Sequence, residues 1–133
     1  MAVLEILKYP DPRLREVSQT VKKFDAELKK FAEDLLETMY AENGIGLAAP
    51  QVGKLYRMMA VDTRPRDTKG RYEENQMTEL ESKVTQPLIV INPVIVKGEG
   101  KTTFSEGCLS VPSFYEDVER FEKIELKYQD IDG

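Results

Sequence analysis

Apolar positions along this chain follow two different periods. Leu28, Phe31, Ala32, Leu35, Leu36 and Met39 recur at three- and four-residue steps, with Lys29, Lys30, Glu33, Asp34 and Glu37 on the opposite side. That is one apolar stripe of a helix. Asp25 precedes it as an N-cap candidate, and Asn43 and Gly44 follow it as residues that tolerate left-handed backbone angles, so the pattern predicts a helix over 25–41.

Elsewhere the period falls to two or gives way to short apolar runs. Val3, Leu4, Ile6 and Leu7 open the chain, Pro10 and Pro12 force an extended or turn segment, and 17–24 reads as loop. Positions 55–62 read as a strand, and 87–92 as a buried-type strand that continues over 94–97 after Pro93. A turn is expected from Gly98 to Gly100, with extended segments over 101–106 and 114–120. Positions 123–128 alternate cleanly, with Ile124, Leu126 and Tyr128 on one face. The stretch 63–86 is polar, charged and too long for an ordinary connection, so it is expected to be a flexible surface insertion. Asp130, Ile131, Asp132 and Gly133 then give a hairpin-turn signal with no returning strand after it. Two readings follow: a fold cut within a hairpin, and a natural frayed terminus.

The chain has 133 residues, a hydrophobic fraction of 41% and a charged fraction of 32%, which suits one domain over 1–133. The formal net charge of −5 and the lack of any Lys/Arg cluster argue against DNA or RNA as a partner. The start has no charged n-region leading into an apolar h-region, and no apolar run approaches the roughly 18 residues of a membrane span. The single cysteine, Cys108, rules out an internal disulfide and fits a reducing cytoplasm. There is no histidine, which excludes a Ser-His-Asp or Cys-His mechanism within these residues.

Two short runs carry candidate chemistry. The first is GIGLAAPQVG at 44–53. Glycines at 44 and 46 allow close backbone approach, so an extended peptide can pair there as an added strand. Ile45 and Leu47 are candidates to line an apolar pocket, and the Gln51 amide can donate to a substrate carbonyl. The competing reading is a helix C-cap followed by a tight packing turn. The run is no dinucleotide fingerprint, because it lacks the preceding strand and third glycine, and no phosphate loop, because it lacks Gly-Lys-Ser/Thr.

The second run is EGCLSVP at 106–112. A lone cysteine is commonly a small buried apolar residue. As a nucleophile, Cys108 lacks a histidine base; as a thiolate metal ligand it needs partners, and no carboxylate stands at a recognisable ligand spacing.

In these two runs, in the opening 4–14 with its PDPR at 10–13, and in the strand 88–93, the chain resembles the peptide deformylases. The resemblance implies an α+β fold of antiparallel sheets packed around helices. It implies removal of the N-formyl group from the methionine of nascent proteins in the cytoplasm, with N-formyl-methionyl peptides as substrates and transient association with ribosomes. Cys108 would be the thiolate ligand of iron(II) or zinc. Gln51 and the Leu109 N–H would hold the formyl oxygen, Ile45 and Leu47 would border the approach, the Gly46 backbone would bond to substrate, and Glu106 would support the metal loop. The family's third motif, His-Glu-x-x-His on a helix, supplies two more metal ligands and the general base, and it does not occur here. The expectations are therefore a deformylase-like domain without its C-terminal metal-binding helix, inactive by itself, not holding the metal alone, and with an apolar sheet face uncovered. The alternatives are a non-catalytic half-domain that binds peptide N-termini or is completed by a second chain, and a cysteine enzyme of another class.

Overall fold

The computed structural model describes residues 3–64 and 86–133. The element order is a 3-10 turn Pro12–Arg15, helix α1 (Ala26–Ala41), strand β1 (Gly46–Ala48), a 3-10 turn Ala49–Val52, then strands β2 (Met58–Val61), β3 (Leu88–Glu99), β4 (Thr102–Cys108), β5 (Val111–Arg120) and β6 (Lys123–Gln129). The chain is α+β. One antiparallel sheet has the order β1-β2-β3-β6, and β4 and β5 form a separate two-stranded sheet.

α1 starts where the pattern predicts. The Asp25 side chain accepts a hydrogen bond from the Leu28 N–H at 2.9 Å, which satisfies one of the free donors of the first turn. At the other end Asn43 takes the left-handed angle (φ 57°), and the Gly44 N–H donates to the Met39 carbonyl at 2.9 Å. The apolar stripe of α1 lies on one face of the four-stranded sheet. Leu35, Met39, Leu47 and Ala60 form one buried cluster, and Val21, Leu28, Ala32, Ala49, Met58 and Ile91 form a second.

Three expectations shift. The strand expected over 55–62 begins only at Met58, because Tyr56 instead bridges to Gln19 of the 17–24 loop. The segments 87–92 and 94–97 are one strand, which bends where Asn92 takes φ 51° and the register with β6 slips between Ile91 and Val94. Its turn falls at Gly100 (φ 71°), so Gly98 lies within the ladder rather than in the turn. The turn after β6 is formed. Ile131 packs against the second cluster, the Gly133 N–H donates to the Asp130 carbonyl, and Asp132 pairs with Lys29 of α1 at 3.3 Å. Of the expected insertion 63–86, residues 65–85 lie outside the described residues. At its base the Thr63 N–H donates to the Gln86 side chain at 2.6 Å, and buried Asp62 holds Arg64 and accepts from the Tyr40 hydroxyl at 2.6 Å.

Candidate active-site groove

Among the described residues β1 is an edge strand, and its hydrogen-bonding pattern leaves a main-chain edge open. The Asp62 N–H donates to the Ile45 carbonyl at 2.8 Å, and Leu47 stands opposite Ala60. In an antiparallel ladder alternate residues aim their N–H and C=O at the partner and away from it. Ile45 and Leu47 therefore face β2, while exposed Gly46 turns its backbone groups outward. So does Ala48, but its N–H is taken by Gln51 Oε1 at 3.0 Å.

That bond fixes the Gln51 amide, since the reversed amide would set two donors against each other. Nε2 is left facing the second run, 57 positions along the chain, where it lies 3.4 Å from Cys108 Sγ and, 59 positions away, 3.0 Å from Ser110 Oγ. The opening segment stitches the two runs together: the Leu7 N–H donates to the Gln51 carbonyl and the Tyr9 N–H to the Ser110 carbonyl, each at 2.7 Å. Cys108 ends β4, is exposed, and follows a register slip after Gly107. Leu109 sits in the two-residue turn before β5, and its N–H makes no backbone hydrogen bond among the described residues. Its side chain packs on Gly44, where a Cβ would come within 3.1 Å of Leu109 Cδ1.

A groove of about 480 Å³ runs between these elements, lined among others by Gly44, Ile45, Gly46, Gln51, Cys108 and Leu109. A larger hollow of about 620 Å³ lies elsewhere, between the 19–23 segment and the start of α1, and contains no cysteine.

Most of the residues singled out by sequence thus converge, and two, Leu47 and Glu106, do not. Ile45 is 61% exposed at the groove mouth, whereas Leu47 is 1% exposed and packed in the cluster with Leu35 and Met39. Leu47 therefore does not border the approach, because its side chain lies under α1. The Glu106 carboxylate makes two hydrogen bonds to Arg120 across the β4–β5 hairpin, at 2.8 and 3.1 Å, and among the described residues none to Cys108 or Leu109. Those hydrogen bonds hold its pKa below the ordinary 4.5, and raise that of Arg120. Glu106 stiffens the hairpin that carries the cysteine rather than touching the turn. Two residues had no assigned role: Ser110, which lies inside the second run, and Arg120, whose only signal was its place in the extended segment facing 101–106.

Iron or zinc, implied by the resemblance, would find one soft donor here. A catalytic site of this kind takes three protein ligands. The chain has no histidine, and among the described residues no group of three His, Cys, Asp or Glu side chains is placed to hold an ion. The amide nitrogen hydrogen-bonded to the sulfur, Gln51 Nε2, is a donor and cannot ligate a cation. These residues alone do not fit such a metal. No helix among the described residues is long and apolar enough to cross a membrane.

Comparison with known proteins agrees with the convergence of the two runs. The family described as polypeptide deformylase matches residues 3–133. Peptide deformylase of Alkalilimnicola ehrlichii is 47% identical over 133 residues, covering 100% of this chain and 66% of the relative. That of Endomicrobium trichonymphae is 43% identical, covering 100% and 69%. Among solved structures, peptide deformylase from Ehrlichia chaffeensis in complex with actinonin superimposes with a TM-score of 0.84 at 38% identity, covering 100% of this chain and 72% of that one. The Legionella pneumophila enzyme gives 0.81 at 36% identity, covering 99% and 68%. The fold, with the two runs brought together at one end of β1, is that of the solved peptide deformylases. The chain belongs to the polypeptide deformylase family, and it spans about two thirds of the length of the curated relatives it matches.

Proposed function

We propose that these residues form the substrate-binding and carbonyl-orienting side of a peptide deformylase, which releases formate from N-formyl-methionyl nascent chains in the cytoplasm, close to ribosomes. The observation that carries this reading is the Gln51 amide, held by Ala48 with its Nε2 3.4 Å from Cys108 Sγ. A formyl-peptide would lie along the open edge at Gly46 and gain main-chain hydrogen bonds there. Its formyl oxygen would accept from Gln51 Nε2 and from the Leu109 N–H. Two donors fixed where negative charge develops are each worth about 3–4 kcal/mol of barrier in comparable sites. Ile45 would flank the methionine side chain. Cys108 would give one ligand to iron(II) or zinc, with the nitrogen donors coming from outside these 133 residues, since none of them is histidine. Glu106, through Arg120, would keep the hairpin that presents Cys108 in shape.

Titration with formyl-Met-Ala-Ser and with the unformylated peptide tests the reading. The formylated peptide should bind more tightly, and Gln51→Leu should remove that preference by about tenfold, the value of one charge-developing or buried hydrogen bond. Equal binding of both peptides would overturn it. The poor metal fit favours one second reading, a module that holds peptide N-termini without turnover. Formate release in the presence of iron(II) or zinc separates the two.

A further inference from the structure

We infer that Ser110 is a positioning residue for the Gln51 amide; the inference rests on the deformylase reading for its consequence, but its geometry stands apart from it. Ser110 is 3% exposed and sits where the opening segment and the two runs meet. Its carbonyl accepts from the Tyr9 N–H, and its Oγ accepts from Gln51 Nε2 at 3.0 Å. A primary amide has two donor hydrogens and one plane. Ala48 fixes which end is oxygen, but a single bond at Oε1 leaves the plane free to rock. Ser110 Oγ supplies the second point, so the remaining Nε2 hydrogen has one direction, toward the sulfur 3.4 Å away and the space beside it.

The hydroxyl also works as a latch between sheets. β4 and β5 share no ladder with the four-stranded sheet, so the cysteine turn holds its place against Gln51 through contacts of this kind. Removing the hydroxyl takes from the half-buried Gln51 N–H its protein acceptor, and the amide gains a second orientation. A donor that is correctly aimed only part of the time binds a carbonyl more weakly, and costs more where the oxygen is acquiring charge.

The test uses chain labelled with 15N at glutamine side chains, with the Gln51 pair assigned by its disappearance in Gln51→Leu. In the unmodified chain one Nε2 proton of Gln51 should exchange with water about tenfold more slowly than that of an exposed glutamine, the protection expected of one partly buried hydrogen bond. Ser110→Ala should abolish that difference and weaken formyl-Met-Ala-Ser binding by about tenfold, with the unformylated peptide unaffected. Ser110→Thr, which keeps the hydroxyl, should restore both. A Gln51 amide in the unmodified chain with both protons exchanging at the free rate overturns the proposal without any variant, which covers the case in which Ser110→Ala does not fold. Loss of protection in Ser110→Ala with unchanged formyl-peptide affinity also overturns it. If the unmodified chain shows no preference for the formyl group, the deformylase reading fails, while the exchange comparison by itself still decides whether Ser110 holds the Gln51 amide.

Discussion

The two halves of this molecule treat their apolar residues in opposite ways. Under α1, Leu35 and Met39 are 0% exposed, and Leu47 and Ala60 of the sheet are sealed against them. Along the far half of β3, and on β4, β5 and β6, Val94, Ile95, Val96, Phe104, Tyr115 and Ile124 are all at least half exposed. Hydrogen-bonded strands are present in both halves, so pairing alone does not make a core. What distinguishes them is the covering layer, which α1 supplies for one face of β1, β2 and the start of β3. The groove lies on the boundary. Gln51 belongs to the sealed half and Cys108 to the open one, while Leu109, in the turn after the cysteine, packs its side chain against the cluster of Leu35, Met39, Leu47 and Ala60.

The contrast is broken most directly by truncating one residue in each half. Leu35→Ala should cost about 2–5 kcal/mol of stability, the range for a fully buried leucine that leaves a cavity. Val96→Ala on the open ribbon should change stability by less than about 0.5 kcal/mol. Urea unfolding of the two variants measures both. Comparable losses would mean that the ribbon is covered in solution.

Asn92 joins the halves, and replacing it sharpens the boundary. Its side chain accepts from the Val21 N–H at 2.9 Å and donates to the Val21 carbonyl at 2.9 Å and to Gln129 Oε1 at 2.7 Å, so it ties the loop before α1 to both β3 and β6. Asn92→Ala should destabilise by about 1–3 kcal/mol, through the orphaned Val21 groups and an alanine forced into a left-handed angle. Hydrogen exchange should rise over β6 and the far half of β3 while α1 stays protected. A uniform rise would show one cooperative unit instead of two.

A smaller effect is expected at the contact between the runs. Gly44→Ala places a Cβ 3.1 Å from Leu109 Cδ1, a tight contact, and no positive φ adds strain. Leu109 is only partly buried and its methyl has to shift little, so the stability loss should stay below about 1 kcal/mol. Formyl-peptide affinity should fall more than stability does, as the Leu109 N–H moves with its side chain. A variant with weakened folding and intact binding would argue that Leu109 does not face the peptide.

Much of this arrangement was legible in the sequence, for reasons that differ by element. α1 announced itself because its period, its N-cap at Asp25 and its left-handed exit at Asn43 agree, and all three are local. Gln51 and Cys108 stood out through motif chemistry. Leu47 was misjudged because the apolar residues flanking Gly46 look equivalent in sequence, while only one of them lies under the helix. The late start of β2 depended on a long-range bridge from Tyr56 to Gln19, which leaves no periodic trace. Ser110 was in view inside its motif, but its use became visible only once two segments 59 positions apart were in contact.

The smallest effect should come from pH, and it concerns only the open half. Glu106 and Arg120 form an exposed pair across β4 and β5, and the hydrogen bonds from Arg120 lower the folded carboxyl pKa below 4.5. A carboxylate whose folded pKa is depressed contributes its support above the unfolded value and loses it as pH falls through the folded one. The hairpin should therefore loosen only on acidification below about pH 4.5, weakly, and less at high salt because the pair is solvent-exposed. Following the Glu106 carboxyl carbon by NMR through an acid titration should show the depressed midpoint. Arg120→Gln should return it to the ordinary range, with no change in the α1 half. A midpoint that stays depressed in Arg120→Gln would mean that some group other than Arg120 holds Glu106 ionised, and that the open half is more tightly tied to its surroundings than its exposed side chains suggest.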